Sequence, residues 1–175
     1  AGRTGVGKTT LFKLILGLLE PSRGSITLAG FKVSEIPNDE KRKIFGYVEQ
    51  EFSFIKGSIA EQISLKDSNI SYEEIENAMK FVGLHDYVMT LEKGYDTFAS
   101  THIFSKRQCQ LVSIARAIVT SPPIMLLDEI TANLDSETEQ KIISVLRDAS
   151  YDRTVLSISH RLSSILTCDR IIMLE

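Results

Sequence analysis

The sequence predicts an α/β fold built on a mainly parallel sheet, because strand-like and helix-like stretches alternate along it. Ile124 to Leu127 is fully apolar, as expected of a strand covered on both faces. Thr154 to Ile158 follows as a second interior strand, separated from the first by a helical stretch from Ser136 to Ala149. A glycine-rich turn at the start of the chain runs directly into a helix. The 175 residues predict one domain, and 43% hydrophobic with 25% charged residues exclude a disordered chain or a disulfide scaffold. The formal net charge of −3 gives no basic footprint for nucleic acid.

In chain order, Thr9 to Leu19 is apolar on nearly every side and predicts a buried helix, broken by Pro21-Ser22-Arg23-Gly24. Ser25 to Ala29 alternates as a strand closed by Gly30, and Ile44 to Val48 is a further strand candidate. The charge run Asp39 to Lys43 is expected to be a solvated turn. Ser71 and Glu74 form a capping box that opens a helix ending near Gly83. Ser105 to Val119 is a long helix with Leu111, Ile114, Ala115, Ile118 and Val119 at helical spacing, stopped by Pro122-Pro123. Ser136 and Glu139 make another capping box. Cys109 and Cys168 share no CxxC spacing and read as reduced thiols of a cytosolic protein. No apolar run reaches the ~18 residues that would cross a bilayer. Both chain ends read as cuts within a longer protein.

Two segments carry chemistry. Gly2-Arg3-Thr4-Gly5-Val6-Gly7-Lys8-Thr9 fits the phosphate-loop pattern GxxxxGK[ST] throughout. Its glycines let backbone N–H groups surround phosphate oxygens, and the helix that follows aims its positive end at them. Gly2, Thr4, Gly5, Val6, Gly7, Lys8, Thr9 and Thr10 are therefore the expected nucleotide-binding set. Lys8 would reach the β- and γ-phosphates, and Thr9 would place its hydroxyl on Mg²⁺. The second segment is the strand that ends in Asp128-Glu129. Asp128 is a candidate ligand for the same Mg²⁺, and Glu129 a candidate general base for an attacking water.

With these motifs in place, the chain resembles the nucleotide-binding domain of an ATP-binding-cassette (ABC) transporter. Tyr47-Val48-Glu49-Gln50 resembles the Q-loop, Ala132-Asn133-Leu134-Asp135 the D-loop, and Ser157-Ile158-Ser159-His160-Arg161 the H-loop. Ile114-Ala115-Arg116-Ala117 matches the helix after the family's signature motif. The resemblance implies a P-loop NTPase with a RecA-like parallel-sheet core, 1–50 and 110–175, and an inserted α-helical subdomain, 51–109. It implies ATP and Mg²⁺ as cofactors. Gln50 would contact Mg²⁺ and water, His160 would touch the γ-phosphate, and Asp135 would lie at the interface of a head-to-tail cassette dimer. Phe54 to Ile63 and Gly94-Tyr95-Asp96-Thr97 resemble exporter-type cassettes, which implies a transmembrane domain, on the same parent chain, and a place at the cytoplasmic face of the membrane. His85 and His102 match no motif, and Phe52, Phe54, Tyr87 and Tyr95 are expected to be packing residues.

The signature motif, LSGGQ in the family, falls here on Phe104-Ser105-Lys106-Arg107-Gln108. Both glycines are replaced. In the family each signature closes over the partner's ATP, so Ser105 and Gln108 are candidate contacts to that nucleotide. They also fit a capping box, which the helix needs with or without ATP. Lys106 and Arg107 add bulk where the backbone should approach the γ-phosphate, and add positive charge at a helix start. The chain's own hydrolytic set is intact while its signature is poor. That asymmetry predicts an ATP-hydrolysing cassette of an exporter in a heterodimer with one degenerate site. The alternative is an ATP-binding clamp with little hydrolysis; a cassette without a membrane partner is a third reading.

Overall fold

The computed structural model describes residues 6–130, 136–159 and 168–174. Helix α1 (Lys8–Ile15) begins directly after Gly7. Gly7 has a φ of 96°, a left-handed backbone that glycine adopts without a Cβ clash. Strands β1 (Thr27–Leu28) and β2 (Phe31–Lys32) form a short antiparallel hairpin around Ala29-Gly30. Both turn residues have positive φ, as the tight two-residue hairpin connection requires. Helix α2 (Asn38–Ile44) then leads into β3 (Phe45–Val48).

Three helices follow: α3 (Ile59–Ser64), α4 (Tyr72–Phe81) and α5 (His85–Met89). Ser58 and Glu61 cap α3 reciprocally, as Ser71 and Glu74 cap α4, so each start is fixed by a local S-x-x-E signal. Gln62 is wholly buried on α3 and closes its amide on the preceding loop: Ile55 N donates to its Oε1, and its Nε2 donates to Ile55 O and Ser58 O. Helix α6 (Lys106–Ile118), strand β4 (Ile124–Asp128), helix α7 (Ser136–Ala149) and strand β5 (Thr154–Ile158) complete the described elements.

The sheet is ordered β3-β4-β5, all parallel, with Phe45 opposite Ile124 and Asp128 opposite Ile158. Met125 and Leu126 on the central strand are completely buried. Phe12 of α1 packs in a cluster with Phe45, Leu126 and Ile158. Val48, Met125 and Leu127 belong to a second cluster with Ile114 of α6 and Ile142 of α7. Helices therefore cover both faces of β4, which explains its unbroken apolar run. A Cβ on Gly46 would lie 2.4 Å from Ala117 O, so glycine lets α6 approach β3 this closely. This is the α/β P-loop fold with an inserted helical region.

Three expectations need correction. The first helix ends at Ile15 and buries one face only: Phe12 and Leu16 are buried, whereas Leu18 and Leu19 are exposed. The helix is closed at Gly17, at φ 65°, where Leu18 N donates back to Lys13 O. Residues 39–43 form α2 rather than a solvated turn. Asp39 and Glu40 lie in its first turn and Lys41, Arg42 and Lys43 in its last, the order that a helix dipole favours. Lys41 is buried, with its Nζ donating to Gly17 O at 3.4 Å. The strand from Ser25 to Ala29 shrinks to Thr27–Leu28. Strand β4, the bounds of β5, and the ends of α4 and α7 match the sequence reading closely, but among the described residues β5 is not interior: it lies at the edge of the sheet with Thr154, Val155 and Ser157 exposed. The aromatic residues pack as expected: Phe52 meets Phe54 edge-on at 4.7 Å, Tyr87 packs on Phe104, and Tyr95 is 1% exposed.

Candidate active site

The parallel register brings the carboxyl ends of β3 and β4 together, and the candidate residues gather there. Asp128 is the last residue of β4 and is 1% exposed. The hydroxyl of half-buried Tyr47 donates to its Oδ2 at 3.3 Å. Its Oδ1 is buried without a hydrogen-bond partner. A carboxylate oxygen withdrawn from water without a donor is costly, so such a group is expected to meet a ligand.

Glu129 follows at the point where β4 stops. Its N–H donates to Ile158 O at 3.0 Å, one step beyond the β4–β5 ladder. Its φ is 46°, a left-handed backbone that a residue with a Cβ adopts at a cost. That turn sets its carboxylate beside the end of β3, where Gln50 Nε2 donates to Glu129 Oε2 at 3.2 Å. The bond joins residues 79 apart in sequence.

Lys8 is buried at the start of α1, while Thr9 and Thr10 are exposed in its first turn. The first turn of α1 carries no acidic residue and no side-chain cap. Val6 and Gly7 are half-buried. Gly2, Thr4, Gly5, Asp135 and His160 lie outside the described residues. Among the described residues, no cluster of three or more His, Cys, Asp or Glu side chains could hold a metal. Asp128 would have to share an ion with hydroxyl, amide or phosphate oxygens.

The signature stretch forms a complete capping box at the start of α6. Gln108 N donates to Ser105 Oγ at 3.3 Å, and Ser105 N donates to Gln108 Oε1 at 2.9 Å. Ser105 and Lys106 are exposed. The helical reading of Ser105 and Gln108 is therefore satisfied within the chain itself.

The family model described as ABC transporter matches residues 1–132. The chain belongs to the ABC transporter family. It is 40% identical over 179 residues to ABC transporter B family member 26, chloroplastic, of Arabidopsis thaliana, with 99% of this chain and 26% of that protein covered. It is 37% identical over 176 residues to the mitochondrial iron-sulfur clusters transporter ABCB7 of Rattus norvegicus, covering 99% of this chain and 23% of that protein. The ABC cassette also superposes on a bacterial Atm1-family ABC exporter with ATP bound, at a TM-score of 0.83 and 34% identity. That match covers 99% of this chain and 31% of the exporter. The chain thus spans about a quarter to a third of the relatives that it resembles. No helix among the described residues is long and apolar enough to cross a membrane.

Sequence reasoning missed two kinds of residue in this ABC cassette. The sequence places Tyr47 only within a motif, yet its hydroxyl contacts Asp128; the signal for it is a polar-tipped aromatic inside an apolar strand. The sequence places Arg116 only in the helix after the signature. Its Nε donates to Gln62 O at 2.8 Å, both terminal nitrogens reach Ser53 O at 3.4 Å, and its guanidinium carbon lies 4.6 Å from the Phe52 ring centre. Burial pushes its pKa down, yet arginine keeps its charge.

Proposed function

We propose that this chain is the ATP-binding and ATP-hydrolysing cassette of an ABC exporter, one half of a heterodimer with one degenerate site. The observation that carries the reading is the Asp128-Glu129 pair at the end of β4: one buried carboxylate with an unpartnered oxygen, and beside it a second held by Gln50. The phosphate-loop sequence that precedes α1 supplies the triphosphate partner for this pair.

Mg²⁺ fits the residues present, because Asp128 Oδ1 is a hard, buried oxygen without a donor. Asp128, the Thr9 hydroxyl and the Gln50 side chain would hold it, and the bound ion would neutralise charge on the phosphate oxygens. Lys8 and the backbone N–H groups of Gly2, Thr4, Gly5, Val6, Gly7, Thr9 and Thr10 bind the phosphates. Glu129 accepts a proton as water oxygen bonds to the γ-phosphorus and the bond to the β-phosphate oxygen breaks. Gln50 orients Glu129, and His160 contacts the γ-phosphate. Asp135 lies at the interface of a head-to-tail dimer, in which Ser105 and Gln108 of this chain's signature face the nucleotide bound by the partner cassette.

The transmembrane domain belongs to the rest of the parent chain, in keeping with relatives three to four times longer. The cassette then sits at the cytoplasmic face of that membrane. The 51–109 segment is the helical subdomain that meets the membrane helices, and 1–50 with 110–175 form the core. The departures at Lys106 and Arg107 favour a heterodimer, since a homodimer would carry the defect twice. They also support the second reading, a clamp that binds ATP and scarcely hydrolyses it.

The test is ATP hydrolysis by the full-length parent, alone and co-expressed with a candidate partner half, with Glu129→Gln as control. Activity only with the partner, lost in Glu129→Gln, is the expected result. Vigorous activity of the parent alone overturns the asymmetric dimer. ATP binding with no activity in either setting overturns the hydrolytic reading in favour of the clamp.

A further inference from the structure

We infer that Tyr47 is a positioning residue for the metal-binding carboxylate: its phenol donates to Asp128 Oδ2 and commits Oδ1 to the divalent cation that accompanies ATP. The inference rests on the proposed role of Asp128 as a ligand for that cation.

Three observations converge on Tyr47. In the parallel register Tyr47 lies opposite Leu126, two residues before Asp128 on β4. Side chains two apart on a strand share a face, so Tyr47 and Asp128 come to one side of the sheet. The second observation is the division of labour on the carboxylate. Oδ2 accepts from the phenol at 3.3 Å, and Oδ1 is buried with no partner. A carboxylate held at one oxygen cannot swing freely about its terminal bond. The second oxygen is then fixed before the ion arrives, which lowers the ordering cost of binding.

The third observation is what holds the phenol. The Tyr47 ring meets the Phe12 ring of α1 edge-on, with centres 6.3 Å apart and planes at 83°. Phe12 is 3% exposed and lies one turn along from Lys8 and Thr9 on the same helix. One side chain thereby touches both the helix that follows the phosphate loop and the carboxylate at the end of β4. A phenol carries an O–H that can donate, and here it is aimed at the carboxylate oxygen. Asp128 can only accept when ionised, so the direction of the bond is fixed.

The test uses the full-length protein with Tyr47→Phe, which keeps the ring against Phe12 and removes only the hydroxyl. Binding of trinitrophenyl-ATP is measured in EDTA and at saturating Mg²⁺, giving the factor by which the cation tightens the nucleotide. The Mg²⁺ concentration for half-maximal turnover is measured alongside. Tyr47→Phe is expected to leave affinity in EDTA within two-fold and to reduce the Mg²⁺ factor. It should also raise the half-maximal Mg²⁺ concentration about ten-fold, with kcat at saturating Mg²⁺ little changed, in line with the lower end of what one hydrogen bond to a charged group contributes. An equal loss of affinity in EDTA, or a fall in kcat with no change in Mg²⁺ dependence, would mark a packing role and overturn the inference. Asp128→Asn separates the two levels. If it abolishes the Mg²⁺ factor while Tyr47→Phe leaves it intact, the Tyr47 inference fails alone. If Asp128→Asn also leaves the factor intact, the ligand role of Asp128 fails with it.

Discussion

The Gln50 side-chain amide donates to the Glu129 carboxylate at 3.2 Å, which ties the end of β3 to the residue just past β4. Glu129 has a left-handed backbone, so its side chain leaves the strand at an angle that an extended residue could not give. The bond and the backbone turn together hold the carboxylate of the proposed base in one place. Any displacement of Gln50 displaces that carboxylate as well.

At saturating Mg²⁺, Gln50→Ala is therefore expected to lower kcat for ATP hydrolysis more than it changes KM. A hydrogen bond to a charged group contributes about 1.5–3 kcal/mol, and this exposed pair belongs at the lower end. The corresponding loss in kcat is about ten-fold. Glu129→Gln should abolish turnover and retain ATP binding, so the two variants differ in degree and not in kind. Steady-state hydrolysis by the full-length protein with its partner half checks both. Equal kcat in Gln50→Ala and the parent would show that the bond does not orient the base.

Arg116 links the segment after β3 to α6. It donates to Gln62 O and Ser53 O and lies over the Phe52 ring. Arg116→Ala leaves those carbonyls without their charged donor, at a local cost of about 2 kcal/mol. Amides across residues 53–64 should then exchange with solvent roughly 30-fold faster. Arg116→Lys should recover less than half of the protection, because an ammonium has no planar fork for two carbonyls and one ring. Hydrogen exchange on the full-length protein reads this directly. Exchange confined to α6 would show that Arg116 serves its own helix only.

The parts of the fold that the sequence predicted well were those whose signals are local. β4 is a run of apolar residues before Asp128, β5 is rich in β-branched residues (Thr154, Val155, Ile158), and the Ser71-Glu74 box marks the start of α4 without reference to any other element. The errors came from signals that depend on partners. The charge run 39–43 looked solvated because nothing in it shows that Lys41 will lie over Gly17, or that Arg42 will reach Ile63 O and Ser64 O. Its acid-first, base-last order was the local clue to a helix. Leu18 and Leu19 looked buried because an apolar run does not state where the chain leaves the sheet. In the site, Asp128 and Glu129 were legible from the end of a buried strand. Tyr47 was not, because its partner lies 81 residues away and only the strand register brings the two together.

Ser105 allows the helical and nucleotide roles of the signature to be separated. Its side chain accepts from Gln108 N, so Ser105→Ala should destabilise the first turn of α6 by about 1 kcal/mol, seen as roughly five-fold faster exchange of its first amides. Ser105→Asp keeps a capping oxygen and should retain that protection. It also adds a negative charge where the proposed dimer presents the partner's phosphates. The expected outcome is normal protection with weaker ATP binding at the partner's nucleotide site of the heterodimer. Unchanged ATP binding at that site in Ser105→Asp would assign Ser105 to capping alone.

The two cysteines should differ in how readily they react at neutral pH. Cys168 is exposed, whereas Cys109 is partly buried on α6 with its Sγ 3.8 Å from Phe104 O. Burial raises the Cys109 pKa, because desolvation penalises the thiolate. The thiolate is the nucleophile, so at pH 7 Cys109 offers less of it than an ordinary thiol does. Sub-stoichiometric maleimide at neutral pH should therefore label Cys168 first. The Cys109 rate should climb at higher pH than that of a free cysteine thiol in solution. The stability sign agrees: the unfolded chain ionises this thiol first, so the contribution of Cys109 burial is present below the ordinary cysteine range and fades as pH rises through it. Peptide mapping of labelled full-length protein across that range gives both curves. Labelling of Cys109 at or ahead of Cys168 at neutral pH would contradict the buried thiol on α6.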